Sequence, residues 1–281
     1  MKKILLLVFA VALFSASGLF AQTTPAKPIE AKLASKLMQR DMPYRVIVPT
    51  NYSAAKDKRF PVIYLLHGLT GGYTNWTEMS KLPIYAQNFD GIIVTPEGQN
   101  GWYSDSPVVR NANFESYIIK ELIPEIDAKY RTLARRESRV IAGLSMGGYG
   151  ALKFGVKYPE IFVLAGSFSG ALGVTDYKMS EGSFMKTIDD AFGPAASASR
   201  KANDLFALVR DASTEKIKTL PFIYLDCGTE DFLFQNNRDF LSLLIDKKVP
   251  HEYRQLPGAH DWKYWDKQVQ EFLQLAAERI K

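Results

Sequence analysis

Gly143-Leu144-Ser145-Met146-Gly147 decides the fold, because the pattern Gly-x-Ser-x-Gly stands directly between an apolar run and a helical stretch that opens on small residues. The run Ser138-Arg139-Val140-Ile141-Ala142 reads as a buried strand, and Gly148, Gly150 and Ala151 open a helix predicted over Met146 to Tyr158. A serine hydroxyl is a weak nucleophile, so it must project where a base reaches it and where backbone N–H groups meet the developing oxyanion. A sharp turn from strand to helix does both. The flanking glycines permit the close packing that a side chain would block. Ser145 is therefore the candidate nucleophile.

Outward from this turn, short apolar runs alternate with amphipathic stretches. Tyr44 to Val48, Pro61 to Leu66, Gly91 to Val94, Ile161 to Ala165 and Phe222 to Leu225 read as strands, and His251 to Leu256 alternates as a strand nearer the sheet edge should. Phe114 to Tyr130 sets Ile118, Leu122, Ile126 and Tyr130 at four-residue steps, with Asn113 as the expected N-cap. Asn236 to Lys247 and Trp262 to Ile280 give further helices. Repeated strand-then-helix implies an α/β protein with a mostly parallel central sheet and helices on both faces. Ala171 to Leu220 breaks the rhythm and reads as a small insertion over the ligand end of the sheet.

The chain has three histidines to serve as base. On this kind of fold the order is Ser, acid, His, which eliminates His67. His260 sits in a loop between a strand and a helix, within Pro257-Gly258-Ala259-His260-Asp261-Trp262, and is preferred over His251, which opens a strand. Asp226 and Asp231 both flank the late loop Cys227-Gly228-Thr229-Glu230. Asp231 is preferred, since it lies past the glycine where the loop turns back, whereas Asp226 is still within the strand. Leu66-His67-Gly68-Leu69-Thr70-Gly71-Gly72 follows an early strand and offers the second oxyanion donor, so the N–H groups of Leu69 and Met146 form the expected pair. His67 is then a structural residue. Trp102 and Tyr103, in an aromatic and polar loop, either line the substrate pocket or pack at its rim. Trp262 and Trp265 are expected to anchor the last helix, and Cys227 to be a buried apolar residue.

The 281 residues are 47% hydrophobic and 23% charged, an ordinary balance that one core satisfies. Lys2 and Lys3, the apolar run Ile4 to Phe14 and the small residues that follow read as a secretory signal over residues 1–21, with cleavage after Ala21 preferred to cleavage after Gly18. Residues 22–30 then read as a linker and 31–281 as one catalytic domain. The expected location is the periplasm or the outside of the cell, with no stable membrane insertion once the signal is removed. The single cysteine rules out an intrachain disulfide. The formal charge of +5 falls to about +3 without Lys2 and Lys3, too little to argue for a nucleic-acid partner. A serine, a histidine and a carboxylate complete the chemistry, so neither a metal nor an organic cofactor is expected. The expected partner is a small ester or an acylated oligosaccharide.

With these residues in hand, the chain resembles the putative-esterase family of α/β-hydrolases: esterase D (S-formylglutathione hydrolase), feruloyl esterases, acetyl xylan esterases, tributyrin esterases and mycolyltransferases. The resemblance runs from about Met42 to the C-terminus. It rests on Leu65-Leu66-His67-Gly68, Gly101-Trp102-Tyr103, the run from Gly143 to Ala151, Cys227 to Leu233, and Gly258-Ala259-His260-Asp261-Trp262. It implies the triad Ser145, Asp231 and His260, and a carboxylic-ester hydrolase acting on acetyl, short-chain or feruloyl esters. With an export signal, plant-polysaccharide-derived substrates fit better than the cytosolic S-formylglutathione. Acyl transfer with the same triad is the alternative, and a carbohydrate-binding protein without catalysis a more distant one.

Overall fold

The strands β1 (Ile29–Ser35), β2 (Arg40–Ile47), β3 (Val62–Leu66), β4 (Ile92–Pro96), β5 (Arg139–Leu144), β6 (Leu164–Phe168), β7 (Phe222–Gly228) and β8 (His251–Leu256) form one sheet. Their order is β1-β2-β4-β3-β5-β6-β7-β8. The computed structural model describes residues 26–177 and 182–280. β1 and β2 pair antiparallel, as do β2 and β4, and every other neighbouring pair is parallel. Every residue of β3 and β5 is buried, which is why these strands read as continuous apolar runs rather than as alternations. Two apolar layers cover the two faces. One contains Leu66, Ile141, Tyr149 and Leu225, and the other Ile63, Val140, Tyr224 and Phe272. This is the α/β-hydrolase fold.

Four sequence expectations change. The signal reading over 1–21 lies outside the described residues, but the expected linker at 22–30 ends sooner than predicted. Ala26 N–H donates to Pro83 O at 2.8 Å and Ile29 already pairs with Val46 in β1. A strand with one wet face, Ile-Glu-Ala-Lys-Leu-Ala-Ser, carries too weak an apolar signal to stand out from a tail. The strand predicted over Ile161 to Ala165 starts instead at Leu164, because Ile161 N–H closes a turn onto Tyr158 O at 3.0 Å. The helix over 114–129 contains a π segment, Tyr117–Leu122, between α-helical ends. Asn113 does not cap it through its side chain; Asp105 does, its Oδ1 accepting Ser116 N–H at 2.9 Å.

The helix Met146–Lys157 follows β5 and packs on β5 and β6. Between β6 and β7 the expected insertion is a set of short helices, among them Ser183–Phe192, Ala198–Ala202, Leu205–Arg210 and Thr214–Thr219. It delivers Ala171, Tyr177 and Phe184 to the same cavity as Ser145. No described helix is long and apolar enough to cross a membrane.

Candidate active site

Ser145 stands at the C-terminal end of β5 with φ 53° and ψ −115°, a conformation that non-glycine residues adopt at a cost of about 1–3 kcal/mol. The surroundings enforce it. Ser145 N–H donates to Phe168 O at 2.9 Å, and its own carbonyl accepts from Ala171 N–H at 3.1 Å. Gly147 is required by close approach: a Cβ there would lie 2.5 Å from Leu66 O and 2.6 Å from His67 O, both backbone atoms that cannot swing away. The helix therefore begins hard against the end of β3.

His260 and Asp231 arrive on two loops tied to each other. Thr229 N–H donates to Leu256 O and Glu230 N–H to Gly258 O, each at 2.9 Å. Against that frame, His260 Nδ1–H donates to Asp231 Oδ2 at 2.8 Å, and Ser145 Oγ–H donates to His260 Nε2 at 3.0 Å. The second oxygen, Asp231 Oδ1, accepts Leu233 N–H at 2.8 Å. Burial alone would raise the Asp231 carboxyl, but the bonds from His260 and Leu233 N–H outweigh it and hold the group below its usual value, as a carboxylate. Such an arrangement lets His260 accept the serine proton while its charge is balanced from behind.

The other candidates fall elsewhere. Asp226 is fully buried, with Tyr224 and Tyr264 nearest to it, and burial pushes its carboxyl well above the usual range. His251 bonds to Val249 O at the start of β8. His67 is buried under the loop after β3: Gly98 N–H donates to Nε2 at 2.8 Å, which leaves Nδ1 to donate to Gly68 O at 2.7 Å. The Cys227 thiol is buried and shifted upward by that burial, away from thiolate chemistry.

Leu69 lines the cavity beside Ser145, and Met146 is the first residue of its helix. Among the described residues neither N–H is donated to a protein acceptor, as befits donors held ready for an oxyanion.

The cavity has a volume of about 410 Å³, and its aromatic walls form two groups. Trp102, Tyr177 and Phe184 make one, with ring centroids 6.0 Å apart for both Trp102–Phe184 and Tyr177–Phe184. Phe232, Trp262 and Trp265 make the other around His260, whose ring lies 4.6 Å from Phe232 and 4.9 Å from Trp265. Trp102 thus reaches the cavity, but Tyr103 does not. Its ring is buried behind the loop after β3 and its hydroxyl donates to His67 O at 3.0 Å, so the expectation of substrate contact fails for Tyr103. Trp262 and Trp265 do anchor the last helix, Trp262 packing on Trp76 at 5.3 Å, but they also wall the cavity. Phe232 also walls the cavity, and its place directly after Asp231 in the sequence is the signal that points to it. No cluster of three or more His, Cys, Asp or Glu side chains fit to hold a metal occurs among the described residues.

A Ser-His-Asp series at the C-terminal edge of this sheet defines a serine hydrolase of the α/β-hydrolase fold. Residues 35–275 match the family described as Putative esterase, and the chain belongs to that family; it is a carboxylic-ester hydrolase. It is 30% identical over 251 residues to an acetyl esterase of Caldicellulosiruptor saccharolyticus, covering 84% of this chain and 92% of that one. Among solved structures it is similar to a ferulic acid esterase, with a TM-score of 0.79 and 26% identity over 92% of this chain and 100% of that one. A fluorophosphonate-binding serine hydrolase of Staphylococcus aureus superposes with a TM-score of 0.80 at 25% identity, covering 90% of this chain and 99% of the other.

Proposed function

We propose that this protein is an exported serine esterase that removes acetyl, short-chain acyl or feruloyl groups from plant-polysaccharide-derived substrates through an acyl-enzyme on Ser145. The observation that carries the reading is the hydrogen-bonded series Asp231, His260, Ser145 opening into an aromatic-walled cavity of about 410 Å³. That volume suits a small ester or an aryl acyl group. The acetyl esterase and ferulic acid esterase relatives support the acyl range. The amino-terminal signal pattern supports export.

Ser145 Oγ attacks the ester carbonyl as His260 Nε2 takes its proton, and the Leu69 and Met146 N–H groups bind the oxyanion. His260 then returns the proton to the leaving alcohol. Water, deprotonated by His260, attacks the acyl-enzyme, and as the bond to Ser145 Oγ breaks and the acid leaves, His260 returns the proton to Ser145 Oγ. Because the alcohol receives its proton from His260, it lies on the Phe232 side of the cavity. The Trp102, Tyr177 and Phe184 group is left to the acyl chain.

Replacing Ser145 by Ala abolishes hydrolysis of a chromogenic short-chain ester and labelling by a fluorophosphonate, with circular dichroism unchanged. Turnover near the wild-type rate in that variant would overturn the reading.

A further inference from the structure

Trp102 and Tyr103 are consecutive residues with φ of 50° and 49°, a left-handed pair that bulky side chains rarely adopt. The Tyr103 ring is wedged between two glycines. A Cβ at Gly98 would come within 2.4 Å of it, and one at Gly150 on the nucleophile's helix within 2.6 Å. Neither wedge nor strain explains by itself what holds this turn.

The turn is closed by Ser104 N–H donating to Gly101 O at 3.0 Å and Ser104 Oγ donating to Trp102 O at 3.1 Å, and the Trp102 indole N–H donates to Thr187 Oγ1 at 3.0 Å. What ties it to the nucleophile's helix is Lys153, three residues further along that helix and wholly buried. Its ammonium donates to Tyr103 O at 2.7 Å and to Ser104 Oγ, and it pairs with Glu115 Oε2 at 2.9 Å, so its three N–H donors meet three acceptors. Glu115 is bound independently by Lys157 and by the Tyr158 hydroxyl at 2.7 Å. Burial would raise the Glu115 carboxyl, yet Lys153 and Lys157 bring it down to about 2, while burial lowers Lys153 to about 8 against the pull of Glu115. A buried ion pair adds little net stability compared with apolar packing. What an apolar residue cannot do is bind the carbonyl of a left-handed turn. Two contacts lead from that turn to the site: Trp102 walls the cavity, and Tyr103 OH bonds His67 O behind the Leu69 loop.

We propose that Lys153 is a positioning residue for acyl selection: by binding Tyr103 O and Ser104 Oγ it fixes the left-handed turn and, through Trp102, the wall against which the acyl group rests. The inference depends on the esterase reading, because selection is expressed only in ester turnover. Lys153 touches no substrate.

The test uses Lys153→Met, which leaves Glu115 with Lys157 and Tyr158. Active sites are counted by fluorophosphonate stoichiometry, and kcat/KM per titrated site is measured for an acetyl ester and for the larger of the feruloyl or butyryl esters that the wild-type enzyme turns over. The large-to-acetyl ratio is expected to fall about tenfold, the scale of a small misplacement of a positioning wall. In a Trp102→Ala background the same substitution is expected to change the ratio no further, because both act through one wall. Equal loss on both esters per titrated site, or effects that simply multiply, would overturn the proposal. Should Lys153→Met fail to fold, Ser104→Ala enters the same cycle, with the same direction expected and the same outcomes decisive. Wild-type protein that takes no fluorophosphonate at Ser145 would overturn the esterase reading, and the proposal with it.

Discussion

Asp231 and His260 are joined both by side chain and by main chain: Oδ2 accepts from Nδ1 at 2.8 Å, and Glu230, one residue before Asp231, donates its N–H at 2.9 Å to the carbonyl of Gly258, two residues before His260. The side-chain bond fixes which imidazole nitrogen faces Ser145. The main-chain bond fixes where the ring stands.

Asp231→Asn keeps the shape of that contact and removes the charge behind the imidazole. An amide can donate to Nδ1 and so favour the wrong tautomer, with the proton on Nε2 facing Ser145. A fall in kcat of roughly ten-thousandfold is expected, measured on a chromogenic ester at neutral pH. Asp226→Asn, the same exchange at the rival acid, is expected to leave kcat near the wild-type value. The reverse ranking would assign the acid to Asp226.

How far the sequence reached follows from what kind of information each residue carries. Ser145, Asp231 and His260 were found by local turn chemistry and chain order, and the structure places the three in contact. The strands around β5 are legible as apolar runs because both sheet faces are covered, whereas their order in the sheet is not. β1 was lost because one of its faces is wet. The direction of Tyr103 is not legible for a different reason: it is set by a left-handed turn whose carbonyl is bound by Lys153, 50 residues away in the chain. No local pattern encodes such a bond. The cavity walls from Tyr177 and Phe184 belong to the insertion, whose short helices have too few turns for periodicity to be read.

Phe232 is 77% exposed although its ring rests on His260, so its outer face is open at the cavity mouth. If the alcohol leaves past His260, a sugar ring in that position lies on Phe232. Phe232→Ala is expected to lower kcat/KM for a sugar-linked ester relative to the methyl ester of the same acid by roughly fivefold, about 1 kcal/mol for a lost ring contact. Deacylation passes through a common acyl-enzyme and offers an internal control. Equal losses on the two esters would mean that Phe232 serves only to seat His260.

Asp226 makes a different kind of prediction, about stability. Its carboxyl is buried in β7, and that burial outweighs the nearby hydroxyls of Tyr224 and Tyr264 and the charge of Arg254, pushing it well above the usual carboxylate range. The folded chain therefore holds the Asp226 proton to a higher pH than the unfolded chain, which sheds it above about pH 4. With a folded value above the unfolded one, the stabilising balance is fully present below the unfolded value and is lost as pH rises, at up to about 1.4 kcal/mol per pH unit until the folded group ionises. Asp226→Asn cannot ionise and loses that slope. The variant is expected to gain stability over the wild type steadily between pH 4.5 and pH 7, read as the difference in urea midpoint at each pH. A difference that stays constant across this range would show that Asp226 is already ionised in the folded protein. Burial drives Asp226 towards the neutral acid while the bonds from His260 and Leu233 hold Asp231 as a carboxylate, so the same titration that measures stability also separates the two carboxyls by role.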